Sequence, residues 1–181
     1  MNGNRAVLAV VLVIVLLAAG WWLFMRRAAQ TIPLIPLLAS SEKRPPEGTF
    51  EVIQADINGV TKQAIYTVPA SRIYFKVKVP EDARLQLAVA TRPESWTQEG
   101  DGVLFRVGVA DGRTYEELFT QHVNPYANEG DRKWIQISVD LSTYAGEELD
   151  LIFNTNNSAA GKGDDRRNDH ALWGAPELVV R

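Results

Sequence analysis

Ile73-Tyr74-Phe75-Lys76-Val77-Lys78 places an apolar side chain at every second position, with Tyr74, Lys76 and Lys78 between them. A period of two puts the apolar set on one face of an extended strand, whereas a helix groups residues three and four apart. Leu85, Leu87 and Val89 repeat the pattern, and so do Phe105, Val107 and Val109. Ala110-Asp111-Gly112-Arg113 follows with the Asp-Gly pair that favours a tight hairpin, so Tyr115 to Thr120 is expected to return as the neighbouring strand. Ile135, Ile137, Val139 and Leu141 make a further apolar face, and Leu149, Leu151 and Phe153 the next. Beyond Thr49 no stretch sustains a period of 3.6 and no segment repeats. Short half-buried strands separated by turn signals predict an all-β antiparallel sandwich over residues 49–181.

The N-terminus reads differently. From Ala6 to Met25 the chain carries no charge, with Arg5 before the run and Arg26-Arg27 after it. At about 1.5 Å of rise per residue, a run of this length spans the roughly 30 Å of bilayer hydrocarbon. A signal peptide has a shorter apolar core, of about 7 to 15 residues, ending in a small-residue cleavage site. This run ends instead in Trp21, Trp22 and Phe24, which suit the headgroup level of a membrane. Residues 1–27 are therefore expected to form one transmembrane anchor with a short polar head. Residues 28–48, with Pro33, Pro36, Pro45 and Pro46, are expected to form a linker.

Charge and composition remove several function classes. All 22 Asp+Glu lie beyond Arg27, against 19 Lys+Arg in the whole chain, so the basic footprint of a nucleic-acid binder is absent. With no cysteine there is neither a disulfide framework nor a thiolate site. The two histidines, His122 and His170, form no H-E-x-x-H pair, and no nucleophile elbow or phosphate-binding glycine loop occurs. Glu116, Glu117 and Asp150 are the carboxylates that a glycoside hydrolase would have to pair across a scissile bond. Adjacent glutamates on a strand point to opposite faces, which leaves at most one of them in place. The expectation is a non-catalytic protein, with hydrolase activity the weakest of three readings.

Val139-Asp140-Leu141-Ser142-Thr143-Tyr144-Ala145-Gly146, followed by a strand from Glu148 to Asn154, resembles a turn common in galactose-binding-like jelly rolls. Asp169-His170-Ala171-Leu172-Trp173-Gly174-Ala175-Pro176-Glu177-Leu178 is similar to the closing strand of NPCBM-type carbohydrate-binding modules, except that Leu172 stands where an acid is usual. The match covers roughly Val103 to Val180. It implies a jelly-roll sandwich that binds carbohydrate, in a family made up mostly of exported domains. Asp140, Ser142 and Gly146 have structural roles in such a turn, with Gly146 supplying a positive φ. His170 and Trp173 are read first as structural and second as ligand contacts. The basic residues after the apolar run favour a cytoplasmic domain, while the short polar head and the resemblance favour export. The latter reading is taken: a single-pass membrane protein with its C-terminal domain outside the cytoplasm.

The polar connection from Asn154 to Asp169 is long enough to be functional or disordered. The functional reading takes Asn156, Asp165, Arg166 and His170 as hydrogen-bonding groups for sugar hydroxyls, beside Trp134, Trp96 or Trp173 as the apolar platform. Asp164, Asp165 and Asp169 also offer hard oxygen ligands for a structural calcium ion, which the resemblance implies. The leading expectation is a membrane-held module binding carbohydrate or another envelope polymer. The alternative is an accessory protein docking onto a membrane protein such as a glycosyltransferase.

Overall fold

A computed structural model describes residues 30–157, 165 and 167–180. The strands are β1 (Gln30–Pro33), β2 (Glu42–Arg44), β3 (Phe50–Ile57), β4 (Val60–Thr67), β5 (Ser71–Lys78), β6 (Ala83–Thr91), β7 (Val103–Ala110), β8 (Tyr115–Val123), β9 (Ile135–Asp140), β10 (Glu148–Asn156) and β11 (Ala171–Val180). They form two sheets. One has six strands in the order β3-β4-β11-β6-β9, with β1 added on β11; the other has five, in the order β2-β5-β10-β7-β8. The ladders of β10 with β5 and β7, and of β11 with β4 and β6, are antiparallel. Only short 3-10 turns interrupt the strands, so the described chain is an all-β antiparallel sandwich, as the period of two predicts.

The alternating residues meet between the sheets. Ile73, Phe75, Leu85, Val89, Phe105, Val107, Leu151 and Phe153 are buried there. Trp173 fills the centre, with its ring 5.0 Å from Phe105 edge-on and 4.7 Å from Phe153. Offset and edge contacts of this kind add to the large apolar area that each ring removes from water. The same strands of the six-stranded sheet are also apolar on their outer face, where Ala64, Ala88, Ala90 and Leu172 are buried in a second cluster with Tyr66 and Trp134. A side chain at Gly174 would collide with Trp134, whose ring passes 2.6 Å from where its Cβ would stand.

Two regions depart from the sequence reading. Residues 30–48, expected as linker, belong to the sandwich: β1 lies on β11, β2 lies on β5, and the turn Ile35–Ala39 between them buries Leu38. Leu34 is wholly enclosed and its amide donates to the carbonyl of Pro176 at 2.9 Å. The prolines fit because they fall in β1 and the turns, where no ladder donor is required of them. The other departure is the β3–β4 hairpin, absent from the sequence reading. It closes on Asn58 and Gly59, with φ of 54° and 80°, the pairing that a two-residue hairpin turn favours. Half of β3 is exposed and it buries only Ala55 and Ile57, so it shows no clean alternation.

Val139 to Gly146 behaves as the turn it resembles. Asp140 Oδ1 accepts the amide of Ser142 at 3.0 Å, and Gly146 has φ of 82°. The transmembrane helix expected over Ala6–Met25 lies outside the described residues. Among those described, no helix is long and apolar enough to cross a membrane.

Candidate functional site at the loop end of the sandwich

Strands β6, β8 and β10 end, and β7 and β11 begin, at one end of the sandwich, where Ala171 faces Thr91 and Val103 faces Val123. Three connections meet there in their described parts: 92–102, 124–134 and 167–170. Hydrogen bonds join the first to the third, since Arg92 N donates to His170 O at 3.0 Å and Asn168 Nδ2 to Glu99 O at 3.0 Å. Close backbone approach tightens the joint further. A Cβ at Gly100 would stand 3.0 Å from Arg167 O, and one at Gly102, where φ is 83°, 2.5 Å from Val123 O. Asn124 ties in the second connection by accepting the amide of Ala127 and donating to Gly100 O.

Polar and aromatic groups stand on this frame. Tyr126, 49% exposed, shares a narrow crevice with Gln98, Arg167 and Asn168. The Gln98 amide donates to Glu94 O at 2.7 Å, which fixes its plane. Arg167 grips Asp165 through two of its nitrogens, at 2.9 and 2.7 Å. Those hydrogen bonds hold the Asp165 carboxyl down at about 2. On the other flank, His170 Nδ1 lies 2.8 Å from the Tyr66 hydroxyl, and Arg92 stacks over the Tyr66 ring at 5.3 Å. Burial, then the Arg92 charge, lowers the pKa of His170 and favours the neutral ring.

Asp169 lies on the floor of the crevice, 2% exposed, and its Oδ2 finds no hydrogen-bond partner among the described residues. Burial, followed by the negative charges of Asp101 and Asp165, pushes its carboxyl up to about 8. The Thr91 hydroxyl beside it is also buried without such a partner. The crevice holds about 10 Å³, close to one water-sized sphere.

The expected site residues separate. Asp165, Asp169 and His170 meet at this end, and Trp96 joins them half-buried, its indole donating to Thr91 O at 3.1 Å. Trp173 is 1% exposed in the core and offers no face to a ligand. Trp134 is likewise removed as a platform: it is 8% exposed, packs on Gly174 and donates to Val60 O at 2.9 Å. Asn156 lies on the five-stranded sheet and lines a different hollow. Of the two described calcium candidates, Asp169 has a buried oxygen to spare and Asp165 is held by Arg167. Arg166 and Asp164 lie outside the described residues. Among those described, no group of three or more His, Asp or Glu is placed to hold a metal. Tyr126 and Gln98 were not anticipated, although Asn124-Pro125-Tyr126-Ala127-Asn128 is turn-forming sequence that presents an aromatic on a loop.

No family model matches the chain. An uncharacterized protein of Archaeoglobus fulgidus is 36% identical over 107 residues, covering 59% of this chain. That alignment spans about a quarter of the relative's length. A CBM51 module from a Clostridium perfringens GH95 protein, solved in complex with methyl-galactose, superposes with a TM-score of 0.55 at 18% identity, over 82% of this chain and 99% of that one. The chain shares its fold. TmCBM61, solved in complex with β-1,4-galactotriose, gives a TM-score of 0.53 at 9% identity, over 82% of this chain and 94% of the module. The sandwich is thus the one on which these carbohydrate-binding modules are built.

Proposed function

We propose that this protein is a non-catalytic carbohydrate-binding module whose site is the loop end. The observation that carries the reading is Tyr126, an exposed ring beside the planar polar groups of Gln98, Arg167 and Asn168. A sugar ring has apolar C–H faces and hydroxyls at its edges, so an exposed aromatic beside fixed donors and acceptors is the surface that receives it. The joined backbone of 92–102 and 167–170 holds these groups in place before binding, which limits the ordering cost. The likeness to modules solved with galactose ligands supports the reading at the level of fold.

The floor of the crevice is the place proposed for a structural calcium ion. Asp169 Oδ2 and the Thr91 hydroxyl are buried oxygens with no hydrogen bond among the described residues, and the cavity has about the volume of one small sphere. Calcium takes most of its ligands from oxygens, backbone carbonyls included, so one buried carboxylate can anchor such a site. A bound ion would supply positive charge there, and the joined loops hold the rim of the crevice in place. The apolar run Ala6–Met25 is proposed to hold the module at a membrane, with the sandwich outside the cytoplasm.

Calorimetric titration of the full-length chain in detergent with methyl-galactoside, N-acetylglucosamine and β-1,4-galactotriose tests the site. Binding of at least one, weakened tenfold or more by Tyr126→Ala, is expected. If the Tyr126→Ala chain binds as well as the wild type, the site is elsewhere.

A further inference from the structure

The outer face of the five-stranded sheet carries a row of arginines. Arg44 on β2 faces Arg72 on β5, Arg72 faces Asn154 on β10, and Asn154 faces Arg106 on β7. Like charges directly opposite one another on a sheet are destabilising, so the pair Arg44–Arg72 is a cost that folding alone does not explain. Two of the three cations are matched: Arg44 by Glu42 at 2.7 Å and Arg106 by Glu117 at 3.5 Å. Arg72 has no carboxylate within ion-pair distance among the described residues; its guanidinium reaches only the Tyr74 hydroxyl, at 3.4 Å. Tyr74 also lies beneath Arg44, with guanidinium to ring centre 5.0 Å, so one tyrosine positions both cations.

Between β2, β5 and β10 this arrangement encloses a hollow of about 210 Å³, lined by Arg44, Arg72, Ser71, Asn154 and Asn156 together with Pro45 and Ala70. Its lining contains two cations, two amides and no carboxylate. Asn154 is 8% exposed, and Asn156 Oδ1 is buried with no hydrogen-bond partner among the described residues. That volume is below the range of drug-sized sites and on the scale of a single sugar unit. Paired guanidiniums recognise carboxylate, sulfate or phosphate oxygens, and neutral amides recognise hydroxyls.

We propose that this hollow is a second saccharide subsite, on the sheet face, which takes one anionic sugar unit. The anionic group sits on Arg72, the unmatched cation, with Arg44, which Glu42 already holds, at its edge, and the amides of Asn154 and Asn156 hydrogen-bond the hydroxyls of the sugar. The class of ligand rests on the carbohydrate reading, but none of the loop-end residues is used.

The test is affinity electrophoresis of the full-length chain in detergent through gels containing polygalacturonate, dextran sulfate, uncharged dextran or polyphosphate. Retardation by polygalacturonate or dextran sulfate but not by dextran is expected, and which of the two retards identifies the anionic group as carboxylate or sulfate. Arg72→Gln, a change at an exposed position, and Asn156→Ala should each weaken that retardation at least fivefold. Retardation by neither charged polysaccharide would overturn the proposal. So would retardation by polyphosphate equal to that by the charged polysaccharides and unchanged in Asn156→Ala, which describes a general polyanion surface. Neutral-sugar titration at the loop end is read separately, so failure of either site leaves the other measurable.

Discussion

Asp169 couples the loop end to pH. Its carboxyl, raised to about 8 in the folded chain from 3.8, keeps its proton on folding and loses it on unfolding over the interval between those values. The unfolded state therefore binds fewer protons, and the stability that this group contributes falls as pH rises from about 4 to 8. Asn imitates the protonated acid. In chelator, the melting temperature of Asp169→Asn should thus exceed that of the wild type by a margin that widens from pH 5 to pH 8. Added calcium should reverse the order at pH 8, because only the ionised wild-type carboxylate holds the ion. A wild-type melting temperature unmoved by calcium at pH 8 would remove the calcium site. Trp173 makes the opposite kind of contribution, through packing alone. Enclosed at 1% exposure between Phe105 and Phe153, its replacement by Ala should cost about 3–5 kcal/mol in chemical denaturation. The sequence reading of Trp173 as structural first agrees with this burial, and its second reading as a ligand contact does not.

Among the elements, β5, β6, β7, β9 and β10 are legible from the chain because one face is apolar and the other is not. Strands β3 and β4 escape that test for physical reasons: β3 buries only Ala55 and Ile57, and the end of β4 is buried on both faces, as its run Ala64 to Thr67 records. The segment from Gln30 to Arg44 escapes it because prolines and charges mark a tether and an edge strand alike. Its attachment is nonetheless substantial. Leu34→Ala removes a wholly enclosed side chain beside the backbone bond to Pro176, and should cost about 2–5 kcal/mol by urea denaturation. A loss below about 0.5 kcal/mol would show that β1 and its turn lie loosely on the sandwich.

For the whole molecule, the polar connection before Asp169 lies at the end of the sandwich proposed as the site, where Asp169 lines the crevice and His170 bonds to Tyr66 on its flank. What the chain conceals is the aromatic. Of the tryptophans read as platforms, Trp134 and Trp173 are buried and Trp96 is half-buried, and the exposed ring at this end is Tyr126, 44 residues before His170. Tertiary folding alone brings Asn124–Ala127 against Gly100 and Asn168. The most direct test is nuclear magnetic resonance of the uniformly ¹⁵N-labelled full-length chain in detergent, titrated with β-1,4-galactotriose, methyl-galactoside and N-acetylglucosamine in turn. Saturable shifts are expected for at least one sugar, centred on Gln98, Tyr126, Arg167 and Asn168 and lost in Tyr126→Ala. Spectra unmoved by all three, or shifts confined to other surfaces, would contradict it.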